Sequence, residues 1–517
     1  MSLTRREAIV LGAGALLAAG CGSTRSAGLP GSTLASTWID PGGTGTLARG
    51  PGEALIARTE LGPARVSERV IATLAHVTDA HVLDASSPAR VPFLDRLGPP
   101  FESTFRPHET LTAQVLAGTA RAIRTLRPDA VIQGGDLIDN DQRNELGWAL
   151  AALRGGIVRP DRYYGVQLAS DPDPFYYRPD LDAPRHPGLL ARAGRPFASL
   201  GAGAPVYPVL GDHDILVAGE LAPTAQTAAL AVGVEALWEL PSGVSVPPGT
   251  SLTAGGSPDG PPLPGLVNGF LAQALAGPKV RVPADSRRRE MDPAEAIGIL
   301  RPGATGSLDY AVDIGRELRL IVLDLARRAG GSGGLVRPDQ AGWLASQLAG
   351  SGGAGSGGAG SGGAGGGGAG GGGARSGGAR SGGAGGGGRW TVVVSHQPLA
   401  SSEGGDALLA LLDAHPNVIA VLSGHTHRNL IEPRAHYWLI STASLIDYPQ
   451  QARALRVVRT AGGGVAIQTW MLDHAFPGDL GTISRELAYL DAQGGRPKGF
   501  AGGRLDRNVT LYLAKPA

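Results

Sequence analysis

The 517 residues carry 46 Lys and Arg against 45 Asp and Glu, a formal net charge of +1, and only 18% are charged. No long basic run appears, which argues against a protein that tracks a nucleic-acid backbone. One cysteine, Cys21, excludes disulfides within the chain and thiolate metal clusters, and 82 glycines with 39 prolines imply much loop around the core.

The first residues read as an export signal. Thr4-Arg5-Arg6 precedes an apolar stretch, Ile9 to Ala19, closed by Gly20-Cys21. That stretch is too short to be a permanent membrane span. The arginine pair resembles a twin-arginine signal, although Ala8 stands where a bulky residue is commoner. Leu17-Ala18-Ala19-Gly20-Cys21 resembles a bacterial lipobox, with Ala18 in place of leucine. The expectation is an exported protein held at the outer face of the cytoplasmic membrane through lipidated Cys21; an ordinary cleaved signal is the alternative. Cleavage before Cys21 removes two arginines and one glutamate, so the mature chain is formally neutral.

Residues 22–65, rich in Gly, Pro, Ser and Thr, read as a tether and irregular lead-in. Residues 66–517 read as one large domain with insertions. A strand, Ala72 to Thr78, comes first, then a helix from Glu109 to Leu126 that places Leu111, Val115, Ala122 and Leu126 on one face. A strand through Val131 and Ile132 and a helix from Arg143 to Leu153 follow.

Residues 159–200 form an insert with Tyr163, Tyr164, Phe175, Tyr176 and Tyr177, read as packing onto the body, with a pocket lining as the alternative. A second, Pro/Gly-rich insert spans 218–300, with a helix near Ala222 to Leu240. Its Arg287, Arg288 and Arg289 read as a solvated face, with contact to an anionic substrate as the alternative.

Regular alternation resumes with strands Leu308–Ile314 and Leu318–Leu323 and a helix Pro338–Leu348. Residues 350–388, of which 25 of 39 are glycine, carry no chemistry and read as a spacer. The C-terminal part reads as strands Tyr437–Ile440, Ala454–Arg459 and Gly464–Met471, a helix Ile483–Asp491, and a last strand Asn508–Leu513.

One grammar recurs through this frame. Five apolar runs of strand length each deliver Asp or His at their C-terminal end: Asp79-Ala80-His81, Gly135-Asp136-Leu137-Ile138-Asp139, Gly211-Asp212-His213-Asp214, His396, and Gly424-His425-Thr426-His427. In α/β sheets that end is where ligands and catalytic groups collect. Five of the eleven histidines fall in these motifs; His76, His108, His186, His415, His436 and His474 read as structural.

In their order, these motifs resemble those of the calcineurin-like metallophosphoesterases. The resemblance spans residues 79–427 and implies a four-layer α/β/β/α sandwich of two mixed sheets. It also implies two metal ions. Asp136 bridges them, Asp79, His81 and His427 complete one, and Asp212, His396 and His425 complete the other. His213 resembles the histidine that protonates the leaving alkoxide, oriented by Asp139. Asp212 departs from the family's usual asparagine and adds a negative charge.

The donor set suits Mn, Fe, Zn or Co, and two such ions activate a bridging hydroxide for attack on a phosphoester. The expected activity is therefore metal-dependent phosphoester hydrolysis. A lipid-anchored metal-binding protein without turnover and a metallonuclease are the alternatives.

Overall fold

The computed structural model describes residues 31–90, 107–164, 177–237, 275–349, 389–494 and 500–515, with positions 241, 260, 263, 269, 272 and 273 between them. The export signal with Cys21, the glycine tract, Phe175 and Tyr176 lie outside the described residues, as does the side chain of His108.

The chain opens with a hairpin, β1 (Ser36–Ile39) and β2 (Ala48–Pro51), then β3 (Ile56–Leu61) and the long β4 (Ser67–Val77). A 3-10 turn, Pro107–Leu111, leads into α1 (Thr112–Leu126), β5 (Ala130–Gln133) and α2 (Arg143–Arg154). Next come β6 (Gly156–Val158), α3 (Leu189–Ala193), β7 (Phe197–Ser199), β8 (Val206–Pro208), α4 (Ala225–Ala231), β9 (Glu235–Leu237), β10 (Lys279–Arg281) and α5 (Pro293–Leu300). The second half carries β11 (Tyr310–Ile314), β12 (Leu318–Leu323), α6 (Gln340–Ala349), β13 (Trp390–Ser395), α7 (Gly405–Asp413) and β14 (Val418–Ser423). It ends with β15 (Leu430–Arg434), β16 (Tyr437–Ser441), β17 (Gln451–Thr460), β18 (Val465–Asp473), α8 (Leu480–Gly494) and β19 (Val509–Leu513).

Two mixed sheets form the body. One runs β3-β19-β18-β17-β4-β5-β8 and the other β11-β12-β13-β14-β16-β15. The period-two alternation of the second sheet explains the layering. Leu320, Val322, Val392, Val394, Ala420 and Leu422 share a core with Leu74, Val131 and Ile132 of the first sheet. Their neighbours Ile321, Leu323, Val393 and Val421 point the other way, onto Leu344 and Leu348 of α6 and Leu408 and Leu412 of α7. A strand buried on both faces has no polar alternation, which is why Trp390–Ser395 and Val418–Ser423 read as continuous apolar runs. On the far side α1 packs on α2 and on β18. The result is a mixed α/β fold with helices outside two stacked sheets.

The parallel strands β4, β5 and β8 are neighbours, and Val77, Gln133 and Pro208 stand in register. Asp79, Asp136 and Asp212 follow those positions within four residues, so one edge gathers all three. Parallel β13 and β14 bring His396 and His425 to the other sheet's edge.

Several elements differ from the sequence reading. Residues 36–61, expected to be irregular, form β1, β2 and β3, and β3 pairs in parallel with β19 at the edge of the first sheet. The helix expected from Ala222 to Leu240 is confined to Ala225–Ala231, and the chain then turns into β9, which pairs with β10. The segment behind Gly404-Gly405 forms α7, because Leu408, Leu409 and Leu412 share a buried face.

Candidate metal centre

Each motif begins where a strand stops, and in three of the five the chain there makes a sharp left-handed turn. Asp79, His81, Asp136, His425 and His427 have φ of 52°, 42°, 47°, 64° and 53°. Non-glycine residues take this conformation at a cost of roughly 1–2 kcal/mol each, so the packing around them has to enforce it. Two glycines are part of that packing. A Cβ on Gly135, itself at φ 95°, would overlap His396 Nδ1, and one on Gly211 would overlap Asp136 Oδ1.

The structure brings all nine motif residues together. Asp136, Asp212, His396 and His425 form one group of facing donor atoms; Asp79, His81 and His427 form a second; His81, Asp139 and His213 form a third. Asp136 Oδ2 lies 3.0 Å from His396 Nε2 and 3.7 Å from His81 Nε2, between the first two groups. Asp79 Oδ1 is 3.3 Å from His427 Nε2 and 3.9 Å from His396 Nε2. Asp212 Oδ1 is 3.3 Å from His396 Nε2 and 3.4 Å from His425 Nδ1.

Hydrogen bonds at the far ring nitrogens decide which atoms face inward. His81 Nδ1 meets Asp139 Oδ1 at 3.2 Å, His427 Nδ1 meets an Asp447 carboxylate oxygen, and His396 Nδ1 meets Gly134 O at 2.8 Å. Carboxylates and carbonyls can only accept, so in each ring Nδ1 carries a hydrogen and Nε2 is the nitrogen left to face inward, where it would present its lone pair to a bound cation. His81 Nε2 and His427 Nε2 then oppose each other at 3.3 Å. His396 Nε2, fully buried, faces two carboxylate oxygens and has no hydrogen-bond partner of adequate geometry. Carboxylates and ring nitrogens crowded face to face in a buried site need positive charge among them, which cations supply when the rings are neutral. The residues therefore fit divalent metal ions, and imidazole with carboxylate is a borderline-to-hard donor set.

Burial pushes the Asp79 and Asp212 carboxyls up, but the surrounding histidines outweigh it and hold both well below the usual range. Burial likewise raises Asp139, and the Arg90 guanidinium, 3.5 Å away, does most to reverse that. For His213, burial lowers the imidazole while Asp136, Asp212 and Asp139 together raise it to about 9.

His213 meets Asp139 through the backbone: Nδ1 donates to Asp139 O at 2.7 Å, while the nearer Asp139 carboxylate oxygen is 3.9 Å away. The His213 amide donates to Asp136 Oδ1 at 3.0 Å, and Nε2 lies 3.9 Å from Asp212 Oδ2.

Several supporting residues escaped the sequence reading. Asp447 holds His427, the Gln397 amide donates to Asp212 Oδ1 at 2.9 Å, and the Thr78 hydroxyl donates to Asp79 Oδ2 at 2.5 Å. Asp214 accepts from the amides of Leu137 and Gly211, both at 2.9 Å, and so braces two of the turns. Gln397 and Thr78 adjoin motif residues and could have been flagged. Asp447 sits in Leu445-Ile446-Asp447-Tyr448, without a motif of its own.

Residues read as structural sit apart. His76 is buried against Thr442 Oγ1 at 2.9 Å, and burial together with Arg453 keeps it neutral, lowered to about 3. His415 and His436 bond backbone carbonyls, and His186 lies 3.4 Å from Glu486. The arginine run finds acids within the chain: Arg287 pairs with Asp285, Arg288 with Asp84 and Arg289 with Glu295. Arg288 is 1% exposed, so it braces the Asp84 loop and is no solvated face. Tyr163 is buried, as a packing role requires.

No protein-family model matches the chain, and no curated protein matches it. Among solved structures it is similar to a dimetal phosphatase from Danio rerio, at 12% identity over 78% of this chain and 100% of that one, with a TM-score of 0.36. It is also similar to GAP50, the anchor in the inner membrane complex of Plasmodium, at 9% identity over 84% and 97%, with a TM-score of 0.26.

Proposed function

We propose that the chain hydrolyses phosphoesters with two divalent cations. The observation that carries this reading is the inward set of imidazole nitrogens, His81 Nε2 against His427 Nε2 and His396 Nε2 against Asp136 and Asp212. When bound, such a pair of cations neutralises the anionic ester and acidifies the attacking water.

Asp79, His81 and His427 would hold one ion and Asp212, His396 and His425 the other. Asp136 would serve both, since its Oδ2 lies between the groups. The backbone carbonyl of Asp139 fixes the His213 ring, which leaves Nε2 to carry a proton and give it to the departing alkoxide. Asp139's carboxylate is engaged with His81 and Arg90, so its main chain orients His213 while its charge only helps to keep that ring protonated. The Gln397 amide, donating to Asp212 Oδ1, helps to accommodate the extra charge that Asp212 brings.

The test is Asp136→Asn. It should lower the metal content of the purified protein and abolish hydrolysis, since one carboxylate serves both ions; full metal loading with retained activity would contradict the reading. Export and anchoring through lipidated Cys21 belong to the same proposal, supported by Arg5-Arg6, the short apolar stretch and the residues before Cys21. No helix of the described residues is long and apolar enough to cross a membrane.

A further inference from the structure

A cavity of about 250 Å³, not lined by the motif residues, opens at the same end of the first sheet as the His/Asp cluster. Trp38, Tyr448, Gln451, Asp473, Arg485 and Arg507 contribute to its wall. Gln451 begins β17 opposite Asp473 at the end of β18, and Arg453 pairs with His76 near the end of β4. Two short segments join the cavity to the cluster. Asp447, which holds His427, precedes Tyr448; Phe500, whose ring centroid is 6.4 Å from that of His427, precedes the lining residue Ala501.

The hydrogen bonds of the wall are lopsided. Glu53 is bonded by Arg507 at 2.6 and 3.2 Å, and Asp473 accepts from Gln451 at 2.7 Å and Arg49 at 3.3 Å. Thr33 and Thr37 donate to backbone carbonyls at 2.9 and 2.8 Å. What remains unmet is donors. Arg485, 3% exposed, makes one hydrogen bond among the described residues, 3.5 Å to His474 O, and its Nε is buried without a partner. Trp38 Nε1 is buried without a partner as well. The Arg485 guanidinium lies 4.9 Å from the Trp38 ring centroid and Arg49 lies 4.1 Å from it.

A guanidinium offers five donors, and burying them unmade is costly. The formal charges also leave an excess. Arg485 and Arg507 balance Asp473 and Glu53, and Arg49 beside them adds a positive charge. Both facts ask for an acceptor that is negative.

We propose that this cavity binds a small oxyanion group, a carboxylate or a phosphate, through Arg485 and Trp38. The group belongs either to the far end of the phosphoester substrate or to a separate small anion. Only the first of these rests on the phosphoesterase reading; the binding does not.

Calorimetric titration of the full chain with malonate tests the site. Wild type and Asp136→Asn should bind it alike, Arg485→Met should bind roughly ten- to a hundredfold more weakly, and Trp38→Phe should also bind more weakly. Arg485→Met should melt no lower than wild type, because it removes a buried cation whose donors are mostly unmet. Unweakened binding by Arg485→Met or by Trp38→Phe would overturn the proposal. So would loss of binding in Asp136→Asn, which would place malonate at the metal cluster, or no binding by wild type. A pair of aryl phosphates differing only in a remote carboxylate separates the sources. If the group is the substrate's own, the carboxylate lowers KM in wild type but not in Arg485→Met; if the anion is separate, the KM ratio is the same in both. Absence of hydrolysis altogether would remove the phosphoesterase reading and leave the malonate result standing.

Discussion

His81 and His427 turn their Nε2 atoms on each other at 3.3 Å, while the other nitrogen of each ring is committed to a carboxylate, Asp139 for one and Asp447 for the other. Such commitments fix tautomer and orientation in metal-binding histidines, and losing one typically costs 10–100-fold in affinity. Asp447→Ala should therefore weaken metal retention by roughly 10–100-fold, and Asp447→Asn should recover part of the loss because its amide oxygen still accepts. Competition with a chelating dye measures this. Equal affinity in the alanine variant would show that His427 is oriented by something else.

His213→Ala should keep the metal content of wild type yet slow hydrolysis of alkyl phosphates by about 10²-fold or more, the usual scale for a lost proton donor. Esters with good leaving groups should be affected much less, since they depart without protonation. An unchanged rate on an alkyl phosphate would take His213 out of this role.

Asp141 is fully buried, and neither carboxylate oxygen has a hydrogen-bond partner. Burial, and then the charge of Glu290, raise its carboxyl to about 8. The folded chain thus holds a proton there that the unfolded chain releases near pH 4. That contribution to stability is complete below about pH 4 and is lost as pH rises towards 8, with a slope of at most about 1.4 kcal/mol per pH unit. Asp141→Asn should remove the loss, so the variant should gain stability relative to wild type as pH rises from 5 to 8. Urea denaturation of both proteins at several pH values checks the sign; a constant difference would show that Asp141 does not hold the proton.

Cys21→Ala should shift the protein out of the membrane fraction or stall its processing. A variant that fractionates and migrates like wild type would overturn the lipid anchor and leave an ordinary export signal as the reading of the first residues.

Much of the fold was legible because strand ends and chemistry coincide in this chain. Trp390–Ser395, Val418–Ser423 and, apart from Arg319, Leu318–Leu323 are buried on both faces, and the structure confines them to those bounds. The nine motif residues were legible for the same reason, each standing just past such a run. Short, exposed elements were not. Ile56–Leu61 reads Ile-Ala-Arg-Thr-Glu-Leu, only its Arg58 is buried, and its partner β19 lies more than 400 residues away in sequence. Asp447 was illegible because it acts through His427, and only the folded chain brings the two together. Arg485 resembles any helical surface arginine until its burial is known.

The most direct test of the central claim is hydrolysis of nitrophenyl phosphate and bis-nitrophenyl phosphate by the purified chain as metal is removed with a chelator and returned by titration. Activity on at least one of the two should vanish with chelation and return in full as the second divalent ion per chain binds. Activity that survives complete metal removal, or a fully loaded protein that cleaves neither ester, would contradict it.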